Sequence, residues 1–138
     1  MRWLESSLDA RRHHFDRHAP GNLAPLAAPL DRVTALQRGR FLATDEHARL
    51  TVPGGPFAAG HYVFAVHVVP TGTRTTVQLE ARLADVNGEH RAEGFALACR
   101  RERPVFRIVH LREPAQSLTL LPMDHAGEFE LRSLRFFR

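Results

Sequence analysis

The strongest constraint on this chain is a switch in hydrophobic period near residue 40. Beyond it, apolar residues recur at every second position. In HARLTV, Ala48, Leu50 and Val52 alternate with His47, Arg49 and Thr51. In TTVQLEARLA, Val77, Leu79, Ala81 and Leu83 hold one phase, while Thr76, Gln78, Glu80 and Arg82 hold the other. Successive side chains of a strand point to opposite faces, so each run makes a ribbon with one apolar side. HYVFAVHVV, EGFALACR, VFRIVHL, SLTLLP and GEFELRSLRFF follow the same rule. PGGP, PTGT and DVNGEH separate such runs, and Asn87-Gly88 is a favoured pair for a tight hairpin. Ribbons with one apolar face suit antiparallel sheets packed over a shared core. The expected fold is therefore all-β: an antiparallel β-sandwich, jelly-roll-like, of about seven to eight strands, with a short helical N-terminal segment.

The C-terminal SLTLLPMDHAGEFELRSLRFF reads as two strands in the manner of a hairpin, around a turn bounded by Pro122 and Gly127. Its alternation slips once. Phe129 and Leu131 are in phase, whereas Leu134 and Phe136 are not. One extra residue repairs the phase, which predicts a β-bulge near Ser133.

The first 38 residues read differently. Trp3, Leu4, Leu8 and Phe15 can share one helical face, a candidate docking surface for a partner. The proline-rich APGNLAPLAAPL follows as a linker. LDRVTALQRG then reads as a short helix, with Asp31 as N-cap and Gly39 just past its end. This divides the chain into residues 1–38, a helical segment and linker, and residues 39–138, the sandwich.

Charge narrows the function. Nineteen basic residues against fifteen acidic ones give +4, and every basic residue is Arg. With no Lys, Arg also covers the ordinary solvated surface, so its excess does not by itself signal a polyanion site. CRRERP at 99–104 is a basic run, but the phenylalanines fall mostly in the apolar phase and leave no stacking platform for bases. No nucleic-acid partner is expected. Cys99 is the only cysteine and lies in phase with Phe95 and Leu97, so it reads as a small buried hydrophobe rather than a nucleophile. The N-terminus has no apolar core of a signal peptide, and YVFAVHVV is too short to cross a bilayer. A cytoplasmic protein without a membrane span is the expectation.

No phosphate-binding loop, dinucleotide fingerprint or nucleophile elbow is present. His14 and His18 stand at helical i, i+4 spacing, but a solvated helix face explains them better than a metal site. Catalytic residues, metal ligands and cofactors are expected to be none. The polar phases do carry side chains able to hold a ligand: Arg49, His67, Gln78, Glu80, Arg82 and Arg107. Tyr62 shares its phase with Phe64 and Val66, so its ring belongs to the core with the hydroxyl at an edge.

AGHYVFAVHV at 59–68 and the ending at 117–137 resemble the N-terminal β-sandwich accessory module of bacterial polysaccharide-assembly glycosyltransferases. Leu118, Leu120, Pro122, Asp124, Gly127, Phe129, Leu131, Leu134 and Phe136 fall where that family's ending places them. The resemblance covers roughly residues 40–138. It implies a non-catalytic module acting in docking or glycan contact, with a glycosyltransferase catalytic domain or another biosynthetic protein as partner. The D-x-D metal motif of those catalytic domains is absent. Two other classes stand beside this reading: an adaptor or homo-oligomer docking through the N-terminal helix, and a lectin-like glycan-binding protein.

Overall fold

The computed structural model describes residues 21–138. Within them the chain forms two antiparallel five-stranded sheets and one short 3-10 turn at Ala24–Leu26. The strands are β1 (Ala28–Asp31), β2 (Val33–Ala35), β3 (Arg40–Ala43), β4 (Arg49–Val52), β5 (Gly60–Pro70), β6 (Arg74–Leu83), β7 (Ala92–Arg100), β8 (Val105–Leu111), β9 (Ala115–Leu121) and β10 (Gly127–Phe137). Sheet A has the order β1-β4-β9-β6-β7, and sheet B the order β2-β3-β10-β5-β8. The chain is an antiparallel β-sandwich, as the alternation implied.

The apolar phases meet between the sheets. Leu50, Leu79 and Leu120 from sheet A and Phe64, Leu131 and Leu134 from sheet B are essentially inaccessible to solvent. Phe41 and Phe129 stack at 5.3 Å between ring centroids. At one end Phe57, Tyr62 and Phe136 form an aromatic cluster. The Tyr62 hydroxyl escapes it by donating to the Ala58 carbonyl at 2.8 Å. Cys99 is buried, and burial pushes its thiol up to about 12.

The expected bulge is present. The pairing of β10 with β5 slips between Leu131 and Ser133, which returns Leu134 to the core. Asn22 braces this point: its Oδ1 accepts from Leu134 N at 3.0 Å and its Nδ2 donates to Arg132 O at 3.2 Å. Asn87 and Gly88 both take positive φ, 53° and 76°, in the turn that joins β6 to β7. This is the left-handed geometry that a two-residue hairpin needs.

Two expectations fail. The short helix over LDRVTALQRG is instead strand and turn. Asp31 ends β1 in sheet A and Val33 begins β2 in sheet B, with Arg32 at φ 55° turning the chain between sheets. The carbonyl of Arg32 accepts from both Thr44 N and Thr44 Oγ1, and its guanidinium pairs with Asp45 at 3.0 Å. Gly39, at φ 74°, serves the β2–β3 turn rather than a helix end. Strands this short show no period, and their pairing with β3 and β4 outweighs local propensity. The sandwich thus already includes residues 28–35. The C-terminal pair is also no hairpin: β9 lies in sheet A and β10 in sheet B. Each buries one face, so the turn at 122–126 carries the chain across the core. Trp3, Leu4, Leu8, Phe15, His14 and His18 lie outside the described residues.

Candidate functional site

The outer face of sheet A is built from the polar phases of β4, β9 and β6. Register places Thr51 beside Thr119 and Thr119 beside Glu80, while Ser117 lies beside Arg82. On β7 the positions facing Arg82, Glu80 and Gln78 are Ala92, Gly94 and Ala96. Tall polar side chains thus stand next to a strand of small ones. The result is a groove of about 550 Å³. Its floor is Thr51, Ser117 and Thr119, and its walls carry Arg49, Glu80, Arg82, His90 and Arg91.

The charges in the groove are organised. Arg49 reaches across β9 to grip both oxygens of Glu80, at 2.7 and 3.5 Å. Arg91 pairs with Glu113. Arg82 donates from Nη2 to His90 Nδ1 at 3.3 Å, and the same nitrogen lies 3.1 Å from Asp85 Oδ1. A single ring nitrogen cannot accept from Arg82 and donate to Asp85 at once. Among the described residues, no group of three His, Cys, Asp or Glu side chains is placed to hold a metal. No helix among them is long and apolar enough to cross a membrane.

The fold has solved counterparts. The chain is similar to a structure of the Clostridium thermocellum N-terminal endo-1,4-beta-D-xylanase 10B, CBM22-1 and GH10 modules, complexed with xylohexaose. That match has a TM-score of 0.65 and 14% identity over 87% of this chain, and spans 27% of that one. It is a likeness of the sandwich. A family 16 carbohydrate binding module, with a TM-score of 0.47 and 13% identity, covers 86% of this chain and 88% of its own. A non-crystalline cellulose specific module, CBM28, matches with a TM-score of 0.44 and 10% identity over 81% and 87% of the two chains. No protein-family model and no curated protein matches the sequence.

Of the six candidate ligand residues, Arg49, Glu80 and Arg82 come together in the groove. Gln78 shares their sheet face but lines a neighbouring hollow with Thr76, Leu121 and Asp124. His67 and Arg107 are elsewhere. His67 belongs to β5 in sheet B, is covered, and donates from Nε2 to the Arg101 carbonyl at 2.9 Å. Arg107 lies over the Phe95 ring at 5.7 Å and donates to Ala96 O at 3.0 Å, bridging β8 to β7. Its role is to cover the side of the sandwich. The sequence reading omitted Thr51, Ser117, Thr119, His90 and Arg91. The first three were legible as polar-phase positions of β4 and β9. His90 and Arg91 follow the Asn-Gly turn, where no period marks a side chain's direction.

Proposed function

We propose that this chain is a non-catalytic glycan-binding module, with the sugar lying in the groove across sheet A. The observation that carries the reading is the grouping of Arg49, Glu80, Arg82, Ser117 and Thr119 on one open sheet face. Such a row of paired, geometrically fixed donors and acceptors suits the hydroxyls of an extended sugar chain. The shared sandwich fold of the xylohexaose-bound xylanase modules supports it. The resemblance of residues 40–138 to glycosyltransferase accessory modules extends the proposal: the module works in bacterial polysaccharide assembly, in the cytoplasm, beside a catalytic domain. Affinity electrophoresis against neutral and acidic polysaccharides tests the binding. Retardation by at least one glycan, reduced by Glu80→Ala, is expected. Mobility unchanged by every glycan overturns the reading, as does turnover of a nucleotide sugar by the chain alone.

A specific observation favours a docking role as well, on the opposite face. On the outer side of sheet B, Val63 of β5 lies between Ile108 of β8 and Phe137 of β10. Phe106 and Ile108 are 69% and 63% exposed. An apolar row on an edge strand fits contact with a protein partner or a second copy. Light scattering of the wild type and Ile108→Asp checks this. A mass of one chain for both proteins, with no change on adding the catalytic domain, removes the docking role.

A further inference from the structure

We infer that the glycan taken by the sheet A groove carries carboxylate groups, with Arg82 as the residue that reads them. The inference rests on the glycan-binding reading and names its ligand class.

Two features of the groove lead there. The first is that, among the described residues, no Phe, Tyr or Trp lines it. The aromatic side chains among the described residues lie in the core, in the end cluster, under Arg107, or on sheet B. Among the described residues a neutral sugar ring therefore finds no flat platform for its apolar face. Recognition falls to polar contacts, and three of the charged groups offering them are arginines.

The second is the unequal state of those arginines. Arg49 and Arg91 each hold a carboxylate, Glu80 and Glu113. Among the described residues Arg82 has no carboxylate partner, and its hydrogen bond goes to the contested nitrogen of His90. A uronate carboxylate in the groove would accept two parallel N–H bonds from Arg82, the planar fit for which guanidinium is suited. His90 Nδ1 would then be released to donate to Asp85. One ligand group relieves both claims. A hydroxyl cannot match this, because it offers no paired acceptor edge and no negative charge. Each exposed contact of this kind is weak, so repeated uronates along a polymer are needed for useful affinity.

The test compares polygalacturonate with its methyl ester, which keeps the backbone and masks the charge, and with a neutral xylan. Binding is followed by affinity electrophoresis and titration calorimetry. Polygalacturonate should bind about tenfold or more tighter than its ester. Raising salt from about 50 to about 500 mM should weaken it severalfold. Arg82→Ala should remove most of the preference and Arg82→Lys should restore only part. Arg74→Ala, an equal loss of charge outside the groove, should leave it intact. Equal binding of ester and acid, tighter binding of xylan, or acid binding untouched by Arg82→Ala each overturns the carboxylate inference while the glycan reading stands. No binding of any of the three overturns the carboxylate inference, and no binding across the wider set of neutral and acidic polysaccharides overturns both.

Discussion

Asp124 shows how one side chain can join distant parts of a β fold. It sits in the turn that crosses from sheet A to sheet B. Its Oδ2 accepts from Thr76 N at 3.0 Å, its own N–H donates to Thr75 Oγ1 at 3.0 Å, and His125 lies against Oδ1. The turn is thereby clipped to the start of β6. The hydrogen bond from His125 is the main cause holding the Asp124 carboxyl below its ordinary 3.8, and the Thr76 N–H adds to it. A depressed carboxylate stabilises the fold above its unfolded pKa, and that contribution is lost as pH falls through the folded value. Asp124→Ala should destabilise by about 1–2 kcal/mol at neutral pH, the loss expected for one or two such bonds. The gap from wild type should hold down to about pH 4 and narrow below it. Urea unfolding followed by circular dichroism across pH 2–7 measures this. A gap independent of pH would show that the ionised form contributes nothing.

At the scale of an element, β10 is the most informative strand. It is central in sheet B, paired with β3 through Gly127–Glu130 and with β5 through Phe129–Phe137. Its first half and second half would present opposite faces to the core without the slip at Leu131/Ser133. Deleting Ser133 should remove the extra residue and leave Phe129, Leu131, Leu134 and Phe136 in one strict alternation, with Leu134 still facing the core. Such a variant should keep cooperative unfolding and a dispersed amide NMR spectrum, because one regular register now satisfies both halves. If it loses either, the bulge does more than correct the phase. The bulge was readable from the sequence because a phase error is local. The brace on it, Asn22, was not, since 112 residues separate it from Leu134. The early strands were misread for a related reason. Three or four residues of β1 or β2 carry too few positions to establish a period, and Asp31 and Gly39 imitate helix ends.

At the scale of the molecule, the two sheets divide the work. Their inner faces supply stability and their outer faces differ in chemistry: polar and grooved on sheet A, partly apolar on sheet B. Neighbouring positions on β6 should therefore respond very differently. Leu79→Ala should cost about 2–5 kcal/mol, because a fully buried leucine leaves a cavity. Arg82→Ala should change stability by less than about 0.5 kcal/mol, since its side chain is exposed and makes no ion pair among the described residues. Thermal melts of the two variants compare them directly. A large loss in Arg82→Ala would make it a structural residue and weaken its assignment to a ligand.

The sequence by itself determined which face of each long strand is apolar, where the phase breaks, where the Asn-Gly turn falls, and that Cys99 and Tyr62 belong to the core. These follow from alternation, which is written into consecutive residues. Only the tertiary structure decided which strands are neighbours. Backbone hydrogen bonds join strands of almost any sequence, so period tells the face a residue takes and not the side chain beside it. That is why Arg49, Glu80 and Arg82 could be chosen as polar-phase residues but not separated from His67 and Arg107. Placing β9 between β4 and β6 brought the first three together. Placing β5 and β8 in the opposite sheet sent the other two away.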